Sequence, residues 1–169
     1  MNAVADTVRE QKRQYTRGAD RPLGSYLTTL AVYGLSTAAL TLLARRRGRR
    51  ARPPGPGDLA LMTLTTHKLS RMITKEPVTS PLRAPFTRYN GTSGPAELAE
   101  EVRGSGLRHT IGELVTCPFC VAQWVATGYA AGMVFAPDAT RMVGTTMTAV
   151  AGSDWLQLAY ARMQQAAEK

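Results

Sequence analysis

The apolar residues of this chain are concentrated in a few segments that polar stretches separate. Residues 22–44 contain no charged side chain, and Ser25–Ala44 within them has 20 residues. About 20 helical residues cross a hydrocarbon core of about 30 Å, and in lipid a segment must satisfy its own backbone hydrogen bonds. This pattern predicts a first transmembrane helix at 22–44, with Tyr26 and Tyr33 as interfacial anchors.

Three further apolar segments follow, at Leu59–Ile73, Leu114–Pro137 and Met142–Ala161. The first of these has a polar face with three- and four-residue spacing, formed by Thr63, His67, Ser70, Arg71 and Thr74. It either spans with that face inward or lies at the interface as an amphipathic helix. The segment Leu114–Pro137 contains Gly128-x-x-x-Gly132, a spacing that permits close helix approach. We therefore predict an all-α integral membrane bundle with three or four transmembrane helices.

Polar stretches divide the chain around these segments. Residues 1–21 are predicted to be a polar N-terminal tail, frayed or helical over a short length. Residues 45–58 form a basic connection rich in proline and glycine, and residues 162–169 form a C-terminal tail. The helical membrane core is therefore expected to extend over 59–161.

A long polar connection at 75–113 interrupts this core. A connection of this length is usually functional or disordered. Within it, Pro95–Arg103 is predicted to form a short surface helix with proline at its first position. Before it in the chain, Asp58 is placed to act as the N-cap of the second apolar helix.

The formal net charge is +9, and its placement indicates the partner. The densest basic run directly follows the first apolar segment and consists of Arg45, Arg46, Arg47, Arg49, Arg50 and Arg52. Basic clusters beside a membrane helix bind anionic headgroups, at about 1 kcal/mol per side chain. A nucleic-acid module interleaves aromatic residues with its basic ones, and this run has none. The predicted partners are the bilayer and anionic lipid headgroups, and no nucleic acid is expected. Basic residues in the other polar segments predict the opposite membrane orientation from this run. The charge distribution therefore does not decide which side of the membrane each segment faces.

Cys117-Pro118-Phe119-Cys120 is the sharpest chemical signal in the chain. Two thiols at this spacing can form a disulfide, share a metal ion, or pack as structural thiols. A proline between them near a helix start resembles thiol–disulfide oxidoreductases, in which the helix N-terminus favours the reactive thiolate. No βαβ pattern surrounds the pair, so all three interpretations stay open.

A zinc site is one of these alternatives. A closed site needs four ligands, commonly cysteine and histidine, and this chain has two of each, the histidines being His67 and His109. Cys117 and Cys120 are therefore candidate zinc or iron ligands, with His67 as a further candidate. Two cysteine pairs across a homo-oligomer would also supply four ligands.

Charged groups in the apolar segments form a second set of candidates. Asp154 is the one acidic residue inside an apolar segment, and His67 and Arg71 lie one helical turn apart. Charged groups at membrane depth usually face a partner or water, so an Arg71–Asp154 pair is one hypothesis. Alternatively, Arg71 and Lys68 extend to the headgroups, or Asp154 caps a helix break after Gly152.

Three runs in a fixed order suggest a family. They are Thr66-His67-Lys68-Leu69-Ser70-Arg71, Pro81-Leu82-Arg83-Ala84-Pro85-Phe86, and Gly112-Glu113-Leu114-Val115-Thr116-Cys117-Pro118-Phe119-Cys120 with Trp124. Together they resemble a bacterial membrane family known as domain of unknown function 1360, some members of which have sporulation-associated names. The resemblance covers about Leu59–Ala161. It implies a compact helical membrane core, a bacterial source and no established activity.

The resemblance also adds Arg83 and Glu113 to the candidate site residues. The family's recurring positions correspond to His67, Leu69, Arg71, Arg83, Pro85, Phe86, Glu113, Cys117, Cys120 and Trp124. The first helix, Ser25–Ala44, resembles an addition that shorter members lack.

No nucleotide-binding loop, nucleophile elbow or zinc-protease signature is present, so the sequence predicts no reaction. The first hypothesis is a multi-pass scaffold or interaction protein of the bacterial cell membrane, with a protein partner at 75–113. The second is a membrane thiol-redox or metal-binding protein with Cys117 as nucleophile and Cys120 as resolving thiol. The third is a small oligomeric transporter or proton path that uses Asp154 and His67.

Overall fold

The computed structural model describes residues 2–17, 19 and 21–168. Within these residues the chain forms seven α-helices, a short 3-10 turn and a two-stranded antiparallel sheet. The helices are α1 (Asn2–Thr16), α2 (Leu23–Arg46), α3 (Pro56–Lys75), α4 (Ser80–Arg83), α5 (Gly106–Thr116), α6 (Pro118–Phe135) and α7 (Pro137–Ala167), and the strands are β1 (Thr87–Gly94) and β2 (Glu97–Val102). The predicted helical fold is confirmed, and the hairpin is an addition to the predicted all-α architecture.

The first apolar segment forms α2, as its length and lack of charge predicted. No residue of this fully described helix is buried. Among the described residues it is the one single helix that is long and apolar enough to cross a membrane. The pair α5 and α6 would add a second crossing only as a broken span, because the two helices meet at 80°. The structure thus supports fewer spanning helices than the three or four that were predicted.

The helix of the second apolar segment, α3, begins earlier than predicted. Pro56 occupies its first turn and Gly55 is the N-cap, so the prediction that Asp58 caps the helix is wrong. Proline suits this position because its missing N–H would have no helical partner there. Asp58 instead lies in the first turn, where its carboxylate accepts hydrogen bonds from Arg141 of α7 at 2.8 and 3.2 Å.

The long polar connection is folded, and the short surface helix predicted at Pro95–Arg103 is wrong. Its residues form β2, which pairs with β1 from Thr87↔Val102 to Gly94↔Glu97. Pro95 lies in the turn and Ala96 has a φ of 57°. A proline followed by a residue with positive φ is typical of a reversing turn, whereas a helix needs negative φ throughout.

The third apolar segment is broken at Cys117. Pro118 starts α6, and Cys117 before it is extended, with φ −102° and ψ 107°. Proline disfavours helical geometry in the preceding residue, so α5 ends there and α6 begins in a new direction. The fourth segment forms α7, which runs without interruption through Gly152 and Asp154. The proposed helix break at Asp154 is therefore wrong.

The core lies where α3 packs on α6 and α7. Its buried apolar side chains in the described part of the chain are Val121, Tyr129 and Ala151, and polar ones are buried beside them. A side chain at Gly144 would collide with Tyr129, and one at Gly132 would collide with Thr140 of α7. A side-chain carbon at Gly128 would meet no atom within 4 Å, so close approach requires only Gly132 of the predicted pair.

Candidate functional site

The break between α5 and α6 brings the two thiols together. Cys117 is the N-cap of α6, and its Sγ accepts a hydrogen bond from the backbone N–H of Cys120 at 3.3 Å. The Cys120 thiol donates to the same sulfur, with the two Sγ atoms 2.8 Å apart. Both cysteines are free thiols, Cys117 half-buried and Cys120 exposed.

This arrangement makes Cys117 the hydrogen-bond acceptor of the pair. Its sulfur lies at the positive end of an 18-residue helix and accepts two hydrogen bonds. Helix N-termini and hydrogen-bond donors both stabilise a thiolate, which is the nucleophilic form of cysteine. Cys120 holds the proton that lies between the two sulfurs. The predicted position of the pair near a helix start is confirmed, with Cys117 nearer to that start than Cys120.

Glu113, one turn before Cys117, anchors α2 beside the thiols. Its carboxylate accepts hydrogen bonds from the Tyr26 hydroxyl at 2.5 Å and from the Arg21 guanidinium at 3.2 Å. His109 Nε2 lies 3.4 Å from the same carboxylate. Charge-assisted hydrogen bonds of this kind are strong, so Glu113 holds α2 against α5. Arg21 and Tyr26 were not predicted as site residues.

An open groove of about 860 Å³ runs between α2, α5 and α6 with the thiols on its wall. Its apolar lining includes Leu30, Leu114 and Trp124, and its polar lining includes Glu113, Gln123 and the two cysteines. Tyr33 packs edge-on against Trp124 with ring centroids 5.1 Å apart, and Gln123 donates to its hydroxyl at 2.6 Å. The thiols are therefore reachable from an apolar cleft with a small polar patch, the usual character of a ligand site.

The structure does not bring His67 to the thiols. Its ring instead lies against Trp155 of α7, with centroids 5.8 Å apart. In the part of the chain that the structure describes, no group of three or more His, Cys, Asp or Glu side chains could hold a metal ion. The described residues therefore do not assemble a zinc or iron site within one chain that has Cys117, Cys120 and His67 as metal ligands.

The predicted Arg71–Asp154 pair is wrong. Asp154 pairs with Lys68 at 2.9 Å, while Arg71, almost one turn further along α3, pairs with Glu97 of the hairpin. Lys68 also pairs with Glu76. Burial lowers the pKa of Lys68, but the hydrogen bonds to Glu76 and Asp154 outweigh it, so the pKa is raised.

Arg83 is a structural residue rather than part of the thiol site. Its side chain is fully buried, and its guanidinium donates to Glu100 of β2 at 2.5 Å. It also donates to the carbonyls of Ile73 and Glu76 at 2.7 and 3.1 Å, which lie at the end of α3. An isolated helix end leaves such carbonyls without partners, so Arg83 satisfies them and joins α3 to the hairpin.

Sequence reasoning missed the acidic partners Glu97 and Glu100 because it assigned them to a solvated surface helix. One signal was present: a chain with several charged residues in apolar surroundings needs counter-charges nearby. The nearest acid in sequence is Glu76, which pairs with Lys68, and the next two acids along the chain are Glu97 and Glu100. Their pairing also required the strand register, which the helical assignment concealed.

Comparison with known proteins adds a family and one relative. Residues 61–160 match the family described as a protein of unknown function, DUF1360. The chain is 27% identical over 111 residues to the sporulation protein YjcA of Bacillus subtilis (strain 168), which covers 59% of this chain and 93% of that protein. No solved structure matches. The family match begins within α3, so it contains Arg83, Glu113 and both cysteines and leaves α2 outside.

Proposed function

This chain belongs to the DUF1360 family, whose description gives no function, and from the site itself we propose that it is a membrane-anchored thiol–disulfide exchange protein. Cys117 is the attacking thiol and Cys120 the resolving thiol. The observation that carries the proposal is the pair of free sulfurs 2.8 Å apart at the start of α6, on the wall of an open groove.

The anchoring rests on α2. Its large apolar side chains point outward, including Leu27, Leu30 and Leu35. Monomeric soluble proteins rarely expose a contiguous apolar patch of this kind. Thr65, Ser70 and Thr74 are buried instead. An interior of small and polar residues with an apolar exterior suits a lipid environment. This packing supports membrane insertion of the chain.

The exchange reaction balances within the dithiol and a partner disulfide. The Cys117 thiolate attacks one sulfur of that disulfide, and the other sulfur leaves as a thiol after taking a proton. Cys120 then loses its proton and attacks Cys117 Sγ, which releases the second partner thiol. The partner gains two electrons and two protons, and this chain is left with a Cys117–Cys120 disulfide.

The test uses the full chain in phospholipid vesicles with glutathione disulfide as the probe. We expect Cys120→Ser to accumulate a mixed disulfide with glutathione at Cys117, because the resolving thiol is absent. Cys117→Ser should react far more slowly, since the remaining thiol, Cys120, does not lie at the helix cap. Mass spectrometry of the intact chain measures the glutathione adduct in both variants, and thermal unfolding checks that the variants fold. Equal adduct formation in both variants would contradict the assigned roles.

A scaffold is the second candidate, and the hairpin favours it. Two ion pairs, Arg71–Glu97 and Arg83–Glu100, fix the hairpin to the helices, while Tyr89 on its outer face stays exposed. In that role the thiols only pack, and both single variants would leave the slow background reaction with glutathione disulfide unchanged.

A further inference from the structure

A second groove lies toward the other end of α2, away from the thiols. It has a volume of about 650 Å³ and runs between α2 and α6. Its apolar lining residues include Leu40, Ala131, Val134 and Phe135. Along α2 it extends from Thr37 to Arg45, which is about 12 Å of helix at 1.5 Å per residue.

Three arginines line the same groove, namely Arg45, Arg49 and Arg50. None of them has an ion-pair partner among the residues that the structure describes. The groove therefore combines an apolar channel with an unneutralised triple positive charge. Anions are attracted to such a cluster, and the apolar channel selects among anions those with a hydrocarbon chain.

We propose that this groove binds one anionic phospholipid, with its phosphate on Arg45, Arg49 and Arg50 and an acyl chain between α2 and α6. The position agrees with this occupant, because the arginines end a helix long enough to cross a bilayer and so lie at headgroup level. Three arginines in the basic run, Arg46, Arg47 and Arg52, do not line the groove. The proposed site therefore uses three particular arginines, whereas a diffuse attraction to a charged surface would involve the whole basic run. It shares only the membrane placement with the proposed thiol function and none of its chemistry.

The experiment compares two triple variants with the same change in net charge. Arg45→Gln/Arg49→Gln/Arg50→Gln removes the charges at the groove, and Arg46→Gln/Arg47→Gln/Arg52→Gln removes three neighbouring charges outside it. The full chain in detergent is incubated with equal amounts of phosphatidylglycerol and phosphatidylcholine, and retained lipid is counted by native mass spectrometry. We expect one phosphatidylglycerol on the unchanged chain. With about fivefold in affinity per arginine, the first variant should bind it about a hundredfold more weakly. The second variant should keep most of the affinity.

A second pair of variants tests the apolar channel. Ala131→Phe places a ring inside the groove, and Ala39→Phe places the same ring on an exposed part of α2 outside it. We expect only Ala131→Phe to lower phosphatidylglycerol retention. Displacement by soluble glycerol phosphate at concentrations similar to the lipid would overturn the acyl contact. Equal loss in both triple variants would overturn the site and leave general electrostatics as the cause.

Discussion

Arg83 is the residue on which the attachment of the hairpin to α3 depends. Its guanidinium is 0% exposed, and its partner Glu100 is 6% exposed. Replacing both members of a buried ion pair by apolar residues is often neutral, but removing one leaves a buried charge without compensation. The planar guanidinium of Arg83 donates to one carboxylate and two carbonyls at once, which the single ammonium group of a lysine would not do.

We expect Arg83→Met to lower the free energy of unfolding by about 3–5 kcal/mol, since Glu100 and the last carbonyls of α3 lose their donor. Arg88→Met on the exposed side of β1 is the control and should stay within about 0.5 kcal/mol. Denaturant unfolding in detergent measures both. The double variant Arg83→Met/Glu100→Leu should regain part of the loss because no buried charge remains. Equal stability of the two single variants would show that Arg83 is not a structural link.

Residue-scale prediction from the sequence succeeded where a local rule applied. The cysteine pair, with a proline between its members, was predicted to lie near a helix start, and the structure confirms this. The partner of Asp154 was assigned wrongly because α3 has two cations, Lys68 and Arg71, within one turn. Only the helix rotation and the hairpin decide which cation faces α7, and neither is encoded in the local pattern.

At the scale of elements, Asp58 and Arg141 join the first turn of α3 to the second turn of α7. The hydrogen bonds from Arg141 hold the pKa of the Asp58 carboxyl below its usual value of about 4. A carboxyl whose pKa is lower in the folded state stabilises the fold above its unfolded pKa, and this contribution is lost as the pH falls through the folded pKa.

Asp58→Asn should therefore have a lower melting temperature than the unchanged chain at pH 7, and the difference should shrink below about pH 4. Melting curves between pH 3 and pH 7 provide the measurement. Asp6→Asn is the control, because the ion-pair partner of Asp6 among the described residues is the exposed Arg9 of the same helix, at 3.6 Å. A difference for Asp58→Asn that persists unchanged at pH 3 would mean that the asparagine disturbs packing rather than removing a charge.

The elements themselves were predictable where hydrophobic runs are long. The bounds of α2 differ from 22–44 by no more than two residues. The hairpin was missed because its strands contain few β-branched or aromatic residues, and Glu97–Val102 reads locally as a helix former. Tertiary contacts overrode that propensity, since Glu97 and Glu100 pair with Arg71 and Arg83 from the strand.

At the scale of the whole molecule, α2 distinguishes a membrane protein from a soluble one. Leu35, midway along it, is 70% exposed, and Leu82 beside α3 is 67% exposed. In water, a charge at either position changes stability by no more than about 0.5 kcal/mol. In a bilayer, arginine at the centre of a spanning helix costs about 2.5–3.5 kcal/mol of insertion free energy, while a residue outside the span costs little.

Leu35→Arg should therefore reduce the fraction of chain that stays in membranes after an alkaline wash, and Leu82→Arg should not. Both substitutions add the same charge at nearly equal exposure, so a general effect on charge or expression would act on them alike. If Leu35→Arg remains in the membrane as well as Leu82→Arg, α2 does not span. The exposed leucines would then need a protein partner, because an apolar helix of this length is not left in contact with water.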